Sequence, residues 1–147
     1  MQAEVITIGD ELLLGQTIDT NSAWMGEHLA LAGITVKRIV SIADDAAEIV
    51  SALDDALTRS DLVFVTGGLG PTRDDITKAV LADYFKTPLI MNEDVLMNIT
   101  EWFNGKGLDM LEVNRQQARM PAACEVLDNP QGTAQGMWFN VPDSIRV

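Results

Sequence analysis

The chain has 147 residues, 47% of them hydrophobic, which is enough for one domain-sized core, and no run is long and apolar enough to span a membrane. Its 10 basic and 22 acidic residues leave a formal charge of −12, which repels nucleic-acid phosphates and anionic lipid over most of the surface. The single cysteine, Cys124, excludes an internal disulfide and a multi-cysteine zinc site; the N-terminus lacks the basic segment of a signal peptide, so a cytoplasmic location is expected.

Residues 5–8 form a short apolar run ending at Gly9 and read as a β-strand. A loop over 10–20 follows, then a helix over 21–32 with Gly33 at its C-cap. Residues 34–42 alternate and are rich in β-branched side chains, which predicts a second strand. Ile49, Val50, Leu53, Ala56 and Leu57 then fall at helical spacing behind a cap at Asp44 or Asp45. The continuous apolar run 62–65, bounded by Asp61 and Gly67-Gly68, predicts a central parallel strand covered on both faces. Helices are expected over 75–85 and from 92 to the break at Gly105-Lys106-Gly107, with a shorter one near 111–119 that stops before Pro121. Residues 125–127 and 137–141 look like strands joined through the turn-rich Asn129-Pro130-Gln131-Gly132. Strands alternating with helices imply right-handed crossovers and one α/β domain over 1–147: a doubly wound, mostly parallel sheet with helices on both faces. Ligands of such sheets sit at the carboxyl ends of the strands, which places the loops 9–20, 42–46 and 66–77 at one edge.

The third of these loops carries the strongest chemical signal. Gly67, Gly68 and Gly70 leave a strand and enter a helix whose first N–H groups have no intrahelical partner, which makes an anion site for a phosphorylated small molecule. The loop lacks the Gly-Lys-Ser/Thr ending of a Walker A motif, and Arg73 stands where a dinucleotide fingerprint needs its third glycine. In a phosphate site the backbone as far as Thr72 holds the anion and Arg73 neutralises its charge. Asp74, Asp75 and Thr77 add oxygens suited to a hard divalent cation such as Mg²⁺. The bland alternative is a tight glycine turn with Asp75 as a helix cap. In the first loop, Asp10, Glu11, Asp19, Thr20 and Asn21 surround a Leu12-Leu13-Leu14 triplet expected to pack inward, and Asp19, Thr20 or Asn21 is available to cap the next helix. Asp44 is a cap or a functional carboxylate at the same edge. His28 reads as a structural histidine, Trp24, Trp102 and Trp138 as packing residues, and Cys124 as a small buried side chain.

The stretches Gly9-Asp10-Glu11-Leu12-Leu13-Leu14-Gly15-Gln16 with Asp19-Thr20-Asn21, and Thr66-Gly67-Gly68-Leu69-Gly70-Pro71-Thr72-Arg73-Asp74-Asp75-Ile76-Thr77-Lys78, occur in order with Asn114-Arg115-Gln116 and Asn129-Pro130-Gln131-Gly132-Thr133-Ala134. Together they resemble the N-terminal domain of the CinA family, within the MoaB/MogA-like molybdopterin-binding superfamily. The resemblance implies a doubly wound α/β fold and functional carboxylates that match Asp44 and Asp75. It also implies metal-dependent hydrolysis of a nucleotide-sugar pyrophosphate such as ADP-ribose. A divalent metal is then expected at Asp44, Asp74 and Asp75, with the nucleotide and its phosphates near Gly67, Gly68, Gly70, Thr72, Arg73, Thr77, Asp10, Glu11 and Asn21. The competing expectations are a molybdopterin-binding or adenylyl-transfer domain of molybdenum-cofactor assembly, and a catalytically silent binding or assembly module.

Relatives form dimers or trimers, so a homo-oligomer is expected, and the deamidase domain of longer relatives is not expected within this length. Gln135 stands where relatives usually have proline. Relatives also continue from the last strand into a Leu-Pro-Gly-x-Pro segment, whereas this sequence ends at Val147. The strand 137–141 is therefore expected to lack a neighbour, leaving Trp138 and Phe139 exposed or covered by another chain.

Overall fold

The computed structural model describes residues 1–141. They divide into two compact units, Met1–Gly68 with Asn140 and Val141, and Leu69–Phe139.

The first unit is built on β1 (Gln2–Ile8), which lies between β2 (Thr35–Ile42) and β3 (Leu62–Thr66) in a parallel sheet of order β2-β1-β3. Val5 pairs with Ile39 on one side and Phe64 on the other. A strand paired along both edges and covered on both faces has to be buried throughout, and every residue from Ala3 to Ile8 is. That includes two polar side chains. Glu4 is met by the Arg59 guanidinium, Nε at 2.7 Å and Nη2 at 3.2 Å, and Thr7 Oγ1 lies 2.8 Å from Ser41 Oγ. Parallel strands need crossovers, here supplied by α1 (Asp10–Leu13) and α2 (Thr20–Leu31) between β1 and β2, and by α3 (Ala46–Leu57) between β2 and β3. α3 buries Ile49, Leu53 and Ala56, one stripe at i, i+4 and i+7.

Two expectations fail in this unit. Leu13 and Leu14 are exposed and only Leu12 is half-buried, because a single turn of helix cannot turn three consecutive side chains to one face. Trp24 is exposed as well. It stacks on His28 with ring centroids 3.8 Å apart, and His28 Nδ1 lies 2.9 Å from the Trp24 carbonyl oxygen, so the pair decorates α2 instead of filling a core.

The second unit contains α4 (Thr77–Tyr84), β4 (Leu89–Met91), α5 (Glu93–Gly105), α6 (Glu112–Gln116), β5 (Arg119–Pro121), β6 (Glu125–Leu127) and β7 (Gly136–Trp138). β4 pairs with β5 and β6 with β7, both antiparallel. α5 starts at an Asn92 cap whose Oδ1 accepts from Val95 N at 3.0 Å, and it buries Val95 and Ile99 against Ala118 and Met120. The helix expected to run to residue 119 ends at Gln116, and the next residues enter β5. The expectation for the last strand is also corrected. Its residues 136–138 pair with β6, and Phe139 is buried, its ring stacked 4.3 Å from that of Phe85. The α/β architecture of a parallel sheet with helices is present, its parallel part being the three strands of the first unit. No helix among the described residues is long and apolar enough to cross a membrane.

Candidate functional site

In the first unit, the chain leaves β1 toward β2 on one side while β3 pairs on the other, the arrangement that opens a crevice at the carboxyl ends of parallel strands. A cavity of about 130 Å³ lies there, lined by Glu11, Thr17, Asp19, Asn21, Thr66 and Gly67 among others. Gly67 has φ +105°, and a Cβ on it would collide with the Ile8 carbonyl oxygen, so only glycine lets the two strand ends approach this closely.

Two aspartates in this unit cap helices. Asp19 caps α2: its Oδ1 accepts from Ser22 N at 3.0 Å and its Oδ2 from Ser22 Oγ at 2.6 Å, which leaves Asn21 exposed at the cavity. Burial pushes the Asp19 carboxyl up, but the Ser22 bonds and weaker ones outweigh it and hold the group below its usual range. Asp45 caps α3, accepting from Ala47 N at 2.9 Å and Glu48 N at 3.1 Å. Asp44 is therefore not the cap. Its Oδ2 accepts from Asp10 N at 3.2 Å, while Asp10 Oδ1 accepts from Asp44 N at 3.3 Å, and this reciprocal clasp sets two carboxylates side by side.

In the second unit, Asp75 is not a cap either. Its Oδ2 accepts from Thr72 N at 2.9 Å and Thr72 Oγ1 at 2.6 Å, folding the acidic loop back on itself beside Gly70. Burial pushes this carboxyl up, but hydrogen bonds from the Thr72 hydroxyl, the Thr72 amide and the Gly70 amide together outweigh it, so Asp75 stays ionised below its usual range. The N-cap of α4 is Ile76, which has no side-chain oxygen to offer, and the first-turn N–H groups receive no side-chain cap. Thr72, Arg73 and Asp74 are exposed, whereas Thr77 is buried.

Sequence reasoning passed over Lys78, although it ends the glycine–aspartate stretch. It is half-buried, donates from Nζ to the Gln117 carbonyl oxygen at 2.7 Å, and has its pKa lowered by burial against an opposing pull from Cys124. Burial pushes the Cys124 thiol up, which keeps it protonated.

Asp10 and Asp44 offer hard oxygen donors at one place, which fits a divalent cation that completes its shell with water and substrate oxygens. Among the described residues, no group of three or more His, Cys, Asp or Glu side chains could hold a metal ion by itself. Of the two carboxylates expected to share one metal, Asp44 lies in the first unit and Asp75 in the second.

Comparison with known proteins gives this geometry a family. Residues 4–144 match the family described as "Probable molybdopterin binding domain". A CinA-like protein of Cytophaga hutchinsonii is 50% identical over 145 residues, covering 99% of this chain and 35% of that protein. One from Flavobacterium psychrophilum is 44% identical over 148 residues, again covering 35% of the relative. The chain thus spans about a third of the length of the curated relatives it matches. Among solved structures, CinA of Thermoplasma acidophilum superposes with a TM-score of 0.84 at 38% identity, covering 99% of this chain and 85% of that one. The tungsten cofactor synthesizing protein MoaB of Pyrococcus furiosus, at 19% identity and a TM-score of 0.60 over 99% of this chain and 79% of its own, shares the fold. The chain belongs to the probable molybdopterin-binding domain family, as a CinA-like member.

Proposed function

We propose that this domain hydrolyses the pyrophosphate of a nucleotide sugar such as ADP-ribose with the help of a divalent cation. The observation that carries the reading is the division between two adjacent aspartates: Asp45 caps α3, and Asp44, relieved of that task, is clasped to Asp10. Asp44 with Asp10 would hold the cation in the first unit, and Asn21, Glu11 and the Gly67-Gly68 backbone supply hydrogen-bonding groups toward the nucleotide. In the second unit, Asp75 and the exposed Asp74 offer the same kind of oxygen donor, while the exposed Arg73 guanidinium and the first turn of α4, which has no side-chain cap, offer donors for phosphate. A bound divalent ion would polarise a phosphoryl oxygen and lower the pKa of a coordinated water. Exposed Leu14, Ile18, Trp24 and Leu31 in the first unit support self-association as a dimer or trimer, which sedimentation velocity tests.

The test is initial-rate ADP-ribose hydrolysis in Mg²⁺ or Mn²⁺ by the wild-type chain, Asp44→Asn and Asp75→Asn, with melting temperatures taken on the same preparations. Each variant is expected to lose turnover by about 100-fold or more while its stability changes by no more than about 1 kcal/mol. Unchanged specific activity per folded molecule in both would remove the proposed carboxylate chemistry. The family match favours a second reading, capture of a pterin phosphate without hydrolysis. Molybdopterin binding by a chain that leaves ADP-ribose intact would establish it in place of the first.

A further inference from the structure

The second unit holds a cavity of about 350 Å³, lined by Asn98, Glu101 and Trp102 of α5 and by Asp128, Asn129 and Gln135 around the turn that joins β6 to β7. This is within the usual size range of small-molecule sites. Its charge is one-sided. Glu101 and Asp128 are exposed, neither carboxylate has an ion-pair or hydrogen-bond partner among the described residues, and no basic side chain lines the cavity. Two carboxylates without a counter-charge, on a chain of net charge −12, attract a cation.

The Trp102 indole already draws one cation. Lys106 Nζ lies 4.8 Å from its ring centroid, which occupies one face and leaves the second for a ligand. A bare cation would still leave one group unserved. Gln135 is 4% exposed; its Oε1 accepts from Asn129 N at 2.9 Å, while its Nε2 makes no hydrogen bond among the described residues. The turn that holds it is stiffened from within, because Asn129 donates from Nδ2 to the Ala134 carbonyl oxygen at 2.8 Å and its Oδ1 accepts from Gln131 N at 3.0 Å. A buried donor left without an acceptor is costly, so the ligand that suits the cavity also brings an oxygen for Gln135. A planar guanidinium stacks on an aromatic face and forks its N–H groups onto a carboxylate, which an ammonium does not.

We propose that this cavity binds a small arginine-like compound, a guanidinium joined by a short chain to a carbonyl group. The guanidinium stacks on Trp102 and pairs with Glu101 or Asp128, and the carbonyl oxygen accepts from Gln135 Nε2. None of these residues takes part in the proposed hydrolysis, and the site is read by binding alone, so either reading can fail without the other.

Calorimetric titration of the whole chain at low salt with L-argininamide, agmatine and L-lysinamide tests it. Agmatine is argininamide without its carboxamide, and lysinamide replaces the guanidinium with an ammonium. Argininamide is expected to bind with a Kd below about 1 mM. Agmatine should be weaker by about threefold or more, for the lost bond to Gln135, and lysinamide by about tenfold. Glu101→Gln with Asp128→Asn changes two exposed side chains and should weaken argininamide by about tenfold or more; Trp102→Leu should weaken it by about threefold. No binding at about 1 mM, equal affinity for the three ligands, or unchanged affinity in the double carboxylate variant would overturn the proposal. Tighter binding of a blocked Gly-Arg-Gly peptide than of argininamide would overturn the small-ligand assignment, since the cavity would then be a docking point for another chain.

Discussion

In the first unit, beside the Asp10–Asp44 clasp, the strand ends are clamped by main chain: Gly9 N donates to the Ile42 carbonyl oxygen at 3.0 Å, and Gly67 presses against the carbonyl of Ile8. In the second, the loop from Gly70 to Asp75 is gathered by one carboxylate that accepts from the Thr72 hydroxyl and from the Thr72 and Gly70 amides. Main-chain clamping tolerates no added atom but ignores pH. Clamping by a carboxylate forgives an added methyl, since a side chain can swing, yet it titrates. The same family of loops therefore has two different vulnerabilities, and each can be probed separately.

The largest expected effect separates the two glycines. Gly67→Ala drives a Cβ into backbone at φ +105° and should cost about 3 kcal/mol or more, whereas the Cβ of Gly70→Ala meets the movable end of Asp75 and should cost about 1 kcal/mol or less. Urea unfolding of both variants measures this, and equal losses would break the distinction. A middle-sized effect sharpens it within the first unit. Asp45→Ala removes a cap and should lower stability by about 1 kcal/mol with specific turnover unchanged, the reverse of what is expected for Asp44→Asn. Turnover falling in the Asp45 variant as far as in the Asp44 variant would show that both aspartates act through the helix they precede.

The smallest effect is the pH response of the second unit's loop. Asp75 has a folded-state pKa below its unfolded value, so its contribution is complete above the ordinary carboxylate range and is lost as pH falls through the depressed folded value. Thermal melts from about pH 5 down to about pH 2 should therefore show a shallower acid decline for Asp75→Asn than for wild type. Asp19 adds a slope of the same sign in both proteins, so the difference between the curves is the quantity that counts. Superimposable curves would mean that the Thr72 bonds do not hold the loop in solution.

Legibility in the sequence followed element length and the number of competing partners. β1, β3, α3 and α5 could be read because their burial patterns extend over several turns or a full strand, and Asn92-Glu93-Asp94 marked the start of α5. β4 and β5, at three residues each, are too short for alternation to register, and residues just before β5 could pass for more helix. Phe139 looked unpartnered because its ring contact, Phe85, is far away in sequence. At the candidate site, the need for glycine at position 67 was legible as a strand-to-helix requirement. The roles of Asp44 and Asp45 were not, since two adjacent aspartates before a helix satisfy a capping pattern equally and only the direction of each side chain separates them. Lys78 escaped notice because a lysine in a helix normally reads as solvated, and here its amine turns inward to the Gln117 carbonyl.

The sheet order also has a consequence for the order of synthesis. β1, made before both of its neighbours, is the middle strand of the three, and Ala3 has to await Leu62 before its second edge is paired. At roughly 5–20 residues per second, that wait lasts seconds, during which the strand destined for the middle of the sheet has an open edge. Asn140 and Val141 join the first unit only after all of the second has been made. A nascent β1 would in this interval be a natural client for a chaperone, and slowed translation between β1 and β3 would lengthen its exposure.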